Sequence, residues 1–181
     1  MDHFYQNLLG WASMEDQGEL LKTILPLVDN SNIKIVEIGV YRGKGTALWN
    51  VELTNLGINY EYHAVDSFAG FGETEEECEK AYNDVLHIVS MFDGTLVKSN
   101  SVDAAGKYPD GYFDIIYIDA GHSEEDVDSD IAAWLPKLKP GGVICGDDYI
   151  EGWIGVIRSV DKNFGKENVS VVGNQQWWVK I

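Results

Sequence analysis

The chain has 181 residues, 45% apolar and 12% aromatic, enough to bury one substantial core. Its 30 acidic residues against 13 basic ones give a net charge of −17, which argues against nucleic acid or an anionic membrane as partner, because both call for a basic surface. No run approaches the ~18 apolar residues of a membrane span, Met1-Asp2-His3-Phe4 does not read as a secretory leader, and two distant cysteines, Cys78 and Cys145, suit a reducing cytoplasm better than a disulfide framework.

Taken in chain order, residues 2–28 read as helical, with Leu20, Leu21, Ile24, Leu25 and Val28 at helix spacing and Pro26 marking a kink or an end. Asp29-Asn30-Ser31-Asn32 is a turn. The apolar run 33–38 is a buried parallel strand ending at Gly39. A helix from about Thr46 to Leu56 stops at Gly57. Tyr60 to Val65 is a second strand ending at Asp66, and a helix runs from Glu73 to about Phe92. Residues 95–98 form a third strand and 113–119 a fourth. Ser123 caps the next helix, whose stripe is Val127, Ile131, Trp134, Leu135 and Leu138, and Pro140-Gly141-Gly142 ends it. Residues 143–145 are the fifth strand, and a helix through Val156, Ile157, Val160 and Phe164 follows. Residues 169–172 and 177–181 pair as a hairpin across Gly173-Asn174. Strands alternating with helices predict a Rossmann-like α/β sandwich, with a mostly parallel seven-stranded sheet and an antiparallel C-terminal hairpin. We read the chain as one domain, with a helical segment at 1–32 and the core at 33–181. Trp177 and Trp178 read as hairpin packing, although strand alternation points one of them outward, and an exposed aromatic on the hairpin would suit a homodimer.

Ligands of such sheets sit at the carboxyl ends of the strands, where strand order reverses. Gly39, Gly43 and Gly45 follow the first strand with the spacing G-x-x-x-G-x-G, which differs from the dinucleotide fingerprint G-x-G-x-x-G. Asp66 ends the second strand, where a carboxylate can accept both hydroxyl protons of a ribose. Ser99-Asn100-Ser101 closes the third strand, with small polar groups able to reach a purine edge.

Val36-Glu37-Ile38-Gly39-Val40-Tyr41-Arg42-Gly43 resembles the first motif of class I S-adenosylmethionine-dependent methyltransferases, in the form found in catechol and caffeoyl-CoA O-methyltransferases. Met14-Glu15-Asp16-Gln17-Gly18-Glu19-Leu20-Leu21 resembles the stretch those enzymes place before it. Asp66-Ser67-Phe68-Ala69-Gly70-Phe71 is similar to macrocin-type sugar O-methyltransferases. The resemblance spans roughly residues 14–150. It implies that Glu37, Gly39 and Gly43 hold the methionine end of S-adenosylmethionine and that Asp66, with Ser67, holds the ribose. Asn100 and Ser101 fall at the adenine, where many relatives have an acid. Asp119 borders both cofactor and chemistry.

Asp119 ends the fourth strand, and Asp147 and Asp148 follow the fifth. Three converging carboxylates are unfavourable unless paired, and a hard divalent cation, Mg²⁺ for preference, pairs them. The resemblance supplies a similar set, with an amide where Asp148 stands here. His122 is three residues beyond Asp119; catechol-type relatives have a lysine base at that offset and macrocin-type ones a histidine. Its ordinary pKa of ~6.5 suits proton transfer. Asp119 and His122 are therefore the catalytic candidates, and Phe68, Phe71, Tyr149 and Trp153 candidates to line an acceptor pocket. Asp126-x-Asp128-x-Asp130 imitates the start of a calcium loop, but Ile131 replaces its glycine and Lys137 its final glutamate. His3, His63 and His87 read as packing or surface residues. The expected activity is metal-assisted O-methylation of a small hydroxylated acceptor, whether sugar, catechol or polyol. A dinucleotide-dependent oxidoreductase and a non-catalytic S-adenosylmethionine-binding module are the alternatives.

Overall fold

A computed structural model describes residues 1–28, 31–69 and 74–181; Asp29, Asn30, Gly70, Phe71, Gly72 and Glu73 lie outside the described residues. Helix α1 (Met14–Ile24) begins at Ser13, whose hydroxyl accepts the Asp16 amide. It ends in a 3₁₀ turn at Leu25–Leu27 that contains Pro26. The expected continuous helix over 2–28 is therefore corrected. Only Phe4–Asn7 coils ahead of it, as a 3₁₀ turn. Gly10 interrupts, with φ of 153° and a missing Cβ that would meet Lys44 Cβ at 2.8 Å.

Strand β1 (Ile33–Ile38), helix α2 (Lys44–Asn55), strand β2 (Tyr60–Asp66), helix α3 (Glu75–Ser90) and strand β3 (Thr95–Lys98) form the first half of the sheet. Helix α4 (Ser101–Ala105), strand β4 (Phe113–Ile118), helix α5 (Glu124–Trp134), strand β5 (Leu138–Gly146), helix α6 (Ile154–Phe164) and strands β6 (Ser170–Val172) and β7 (Gln176–Lys180) complete it. The order is β3-β2-β1-β4-β5-β7-β6. Only β7 runs against the others, pairing antiparallel with β5 and β6. The chain steps outward from β1 to β3 and returns to β4, so strand order reverses between β1 and β4, the switch point where such folds bind ligands.

Alternation along the strands builds two apolar layers. Ile35, Tyr117, Val143 and Cys145 pack with α1 and α2 on one face. Val36, Ile116, Ile118 and Ile144 pack with α5 and α6 on the other. Two further expectations are corrected here. Pro140-Gly141-Gly142 lies inside β5 rather than ending a helix. Helix α5 stops at Trp134, and a 3₁₀ turn through Pro136 leads into β5, whose pairing with β4 shifts register between Phe113 and Ile115. Both hairpin tryptophans pack as expected, but neither is left pointing outward. Trp177 is buried in one layer and Trp178 packs, half-buried, against the other, because β7 is an interior strand with both faces covered. Among the described residues no helix is long and apolar enough to cross a membrane.

Candidate active site

Register brings the site together. Ile38 pairs with Val65 and Ile118, and Ile118 with Gly146. The next residues, Gly39, Asp66, Asp119 and Asp147, therefore stand in one row beyond the sheet. Amides of that row close the strand ends: Gly39 N donates to Val65 O at 2.9 Å and Asp119 N to Ile38 O at 2.8 Å. Gly39 has φ of 86°, and a Cβ there would lie 1.9 Å from the Asp119 carbonyl oxygen, so no other residue fits. Above the row opens a cavity of about 1350 Å³, lined among others by Glu37, Asp66, Asn100, Asp119, His122 and Asp148.

Asp66 is the clasp of the glycine loop. Its Oδ2 accepts the amides of Val40 and Tyr41, both at 2.8 Å, and its Oδ1 accepts that of Phe68 at 2.7 Å. Tyr41, Phe68 and Asp148, all at the cavity, are three of the four non-glycine residues with positive φ among those described, a backbone strain of the kind that collects at functional sites. Glu37 is buried under the loop, where Thr46 Oγ1 donates to its Oε2 at 2.5 Å and Tyr62 Oη at 2.9 Å. Burial pushes its carboxyl up to about 7 against the pull of those two donors, and the Asp66 charge adds to the rise.

At the third strand end the expected residues line the cavity and also bind within the protein. Asn100 caps α4, accepting the Asp103 amide at 2.8 Å and donating to the Asp103 carboxylate at 2.6 Å, so both ends of its side-chain amide are engaged. Ser101 Oγ accepts from Trp134 Nε1 at 2.8 Å. Ser67 lines the cavity, and its hydroxyl accepts the Ala69 amide at 3.2 Å. Asp130, absent from the sequence-based candidates, lines the same end. Burial raises its carboxyl to about 6 although Ser101 hydrogen-bonds it. Only its place between α4 and α5 reveals it. The three acids of the calcium-like pattern diverge, to Ser123, to Ser159 and Lys162, and to Ser101.

At the chemical end, Asp119, His122 and Asp148 have ligand atoms within 4.8 Å of one another. His122 Nε2 meets Asp148 Oδ2 at 2.6 Å, and the imidazole stacks on Trp153 with centroids 4.4 Å apart. Asp147 stands outside this trio. Its Oδ1 accepts the Asp148 amide and Gln175 Nε2, each at 2.7 Å. Burial, followed by the charges of Asp147, Asp148, Glu37 and Asp66, holds the Asp119 carboxyl well above its ordinary range. The Asp147 carboxyl is also raised by burial, against the pull of its amide donors. Such a cluster is built to receive positive charge. Of the aromatics expected at the pocket, Phe68 and Trp153 line it. Tyr149 turns instead to Asp161, donating its hydroxyl at 2.6 Å, and Phe71 lies outside the described residues. His63 packs against Tyr108 and Phe113; His3 and His87 are exposed. Trp11, missed in the sequence, stacks on Tyr41 at the rim with centroids 4.5 Å apart.

A family of methyltransferase domains matches residues 36–149. A search of curated proteins finds no match. Three solved structures illustrate the shared fold. CalS11, a TDP-rhamnose 3′-O-methyltransferase of calicheamicin biosynthesis, is 14% identical, with 92% of this chain and 77% of that one covered and a TM-score of 0.62. The O-methyltransferase NovP is 16% identical, covering 98% and 79%, with a TM-score of 0.60. Cofactor-bound Rv0187 from MTB is 14% identical, covering 96% and 82%, with a TM-score of 0.66.

Proposed function

The chain belongs to this family of methyltransferase domains, and from that premise we propose that it is an S-adenosylmethionine-dependent O-methyltransferase of small hydroxylated acceptors, assisted by a divalent cation. The observation that carries the reading is the single cavity into which Glu37, Asp66 and the Asp119–His122–Asp148 trio all open. CalS11 and NovP, both O-methyltransferases, support the oxygen acceptor. S-adenosylmethionine would supply the methyl group as a sulfonium. Asp66 would accept from the ribose hydroxyls with the lone pairs its three amide bonds leave free, while Glu37 and the loop at Gly39 and Gly43 hold the methionine end. Ser67, Asn100 and Ser101 would border the nucleoside.

Two carboxylates and an imidazole within mutual reach are a fitting donor set for a divalent cation. Asp119 and Asp148 would hold it, with Asp147 supporting them from the Gln175 side. Bound there, the cation would supply Lewis-acid stabilisation of the acceptor oxygen. In the transfer the acceptor oxygen forms its bond to the methyl carbon as the carbon–sulfur bond breaks, with the bonding pair left on sulfur. His122 would take the hydroxyl proton. Alignment of the two reactants is a large part of the rate, and the stacked Trp153 would fix the imidazole for it. A dinucleotide-dependent oxidoreductase would need the other glycine spacing and leaves the acidic trio without a task.

The test is calorimetric titration with S-adenosylhomocysteine, with and without Mg²⁺, followed by turnover on a panel of sugars and catechols after chelation. Binding, and activity that disappears with the chelator and returns with Mg²⁺ or Mn²⁺, are the expected results. Full activity in metal-free protein would remove the cation from the proposal, and binding without turnover on any acceptor would favour a non-catalytic module. Asp66→Ala is expected to weaken S-adenosylhomocysteine by about 1.5–3 kcal/mol, the worth of a charge-assisted hydrogen bond. It also lowers the melting temperature, because three loop amides lose their acceptor. Unaltered affinity in the folded variant would take Asp66 out of the site.

A further inference from the structure

Three sides of His122 are held by one short stretch of chain. Asp148 brings a carboxylate oxygen to within 2.6 Å of its Nε2. Trp153 lies against its ring, with centroids 4.4 Å apart and planes 24° from parallel. The third side is backbone. Gly155, in the first turn of α6, sits hard against the loop after β4. A Cβ added to it would lie 2.4 Å from His122 O, 2.7 Å from Glu124 N and 2.9 Å from the Ser123 carbonyl carbon. All three are main-chain atoms, so no change of rotamer relieves the clash, and either the helix or the loop must move.

Glycine is not required there for its backbone freedom. Gly155 is helical, and inside a helix alanine is the more favourable residue. What glycine supplies is clearance. Gly152, three residues earlier, makes the contrast, because a Cβ there meets nothing within 4 Å. Helix α6 is anchored against retreat. Val156 and Val160 are buried in the apolar layer beneath it, Ser159 Oγ donates to Asp128 of α5 at 2.6 Å, and Tyr149 Oη donates to Asp161 at 2.6 Å. The loop of residues 119–123 lies in no helix or strand. Crowding at Gly155 should therefore be relieved by the loop, which carries the imidazole with it.

We infer that Gly155 is a positioning residue for methyl transfer: its bare Cα lets α6 seat on the main chain of the His122 loop, and that fit sets the imidazole between Trp153 and Asp148. The role rests on the reading of His122 as the general base. It governs the reach of the base and not the binding of the cofactor, so it separates rate from affinity.

A double-mutant cycle tests it, with single-turnover rates for wild type, Gly155→Ala, His122→Ala and the double variant, and Gly152→Ala as the control. Gly155→Ala is expected to slow transfer roughly 10- to 100-fold, the effect of displacing a reacting group by about 1 Å. S-adenosylhomocysteine affinity should stay at the wild-type value. In the His122→Ala background the same substitution should cost nothing further, and Gly152→Ala should match wild type throughout. Proton NMR at one fixed pH gives a readout that needs no acceptor. The His122 ring protons lie against the Trp153 indole and carry its ring-current shift, which Gly155→Ala should change and Gly152→Ala should not. The positioning role is overturned if Gly155→Ala keeps the wild-type rate or leaves those protons unmoved. It is equally overturned if the variant slows transfer as much without His122 as with it, or if it is too unstable to purify, since Gly155 would then serve the packing of α5 against α6 alone. A His122→Ala rate close to wild type would instead sink the base reading itself, and the task assigned to Gly155 with it.

Discussion

Replacing His122 by alanine is expected to slow methyl transfer by roughly 10²–10⁴-fold, the range for loss of a positioned general base, with little change in S-adenosylhomocysteine affinity. The geometry specifies more than proximity. His122 Nε2 lies 2.6 Å from Asp148 Oδ2, and an ionised carboxylate has no proton to give. Nε2 must therefore carry the hydrogen, which leaves the lone pair of a neutral ring on Nδ1. Nδ1 is the atom proposed to take the acceptor's proton. Asp148 would then orient the base, as a third group commonly orients a catalytic histidine, and Trp153 holds the ring plane by stacking. Single-turnover rates at saturating cofactor and Mg²⁺, together with Mg²⁺ affinity for both proteins, separate the possible roles. A slow variant with wild-type Mg²⁺ affinity fits the base. A variant that loses rate and cation affinity together would make His122 a ligand, and a rate close to wild type would leave it no part in the transfer.

Glu37 should impose a pH dependence on folding that Glu37→Gln removes. Burial raises its carboxyl from 4.5 to about 7 in the folded chain. Below pH ~4.5 the group is protonated in folded and unfolded chains alike and makes no difference. Between pH ~4.5 and ~7 the unfolded chain gives up the proton while the folded one keeps it. The unfolded state then binds fewer protons, so stability falls as pH rises through this window and levels off above it. At 1.36 kcal/mol per unit the loss is roughly 3 kcal/mol. Asp119 and Asp147 are raised too and add to the same slope, so the informative quantity is the difference between wild type and Glu37→Gln. Urea unfolding from pH 4 to pH 8 is expected to give a shallower decline in the variant. Parallel curves would mean that Glu37 is solvated well enough to ionise normally. A ligand ammonium at Glu37 favours its charged form, so S-adenosylhomocysteine should bind more tightly as pH rises through the same window in wild type. In Glu37→Gln that gain should shrink.

The sequence by itself determined the sheet and the row of residues above it. Apolar runs such as 33–38 and 113–118 announce buried strands, and in an open parallel sheet the residue after each strand faces the ligand. Gly39, Asp66, Asp119 and the Asp147-Asp148 pair were legible for that reason: each is identified by its distance along the chain from a strand it terminates. The glycine loop was legible because its left-handed turn at Gly43, φ of 77°, favours one residue type. What only the tertiary structure decided concerns partners far apart in sequence. Gln17 meets Tyr117 across 100 positions, and nothing local to α1 marks that glutamine from any other polar residue on a helix. Asp147 and Asp148 are adjacent and alike, yet the left-handed backbone at Asp148, φ of 64°, turns one to His122 and leaves the other with Gln175. Asn100 lines the cavity and also caps a five-residue helix, a second role in an element too short to leave a periodic signal. Asp130 sits among the acids in the first turns of α5, and only the packing of α4 against α5 makes it a buried wall of the cavity. Local patterns report backbone conformation and which face is apolar. The pairing of one polar atom with another depends on how the layers stack, and that is settled by packing over the whole chain.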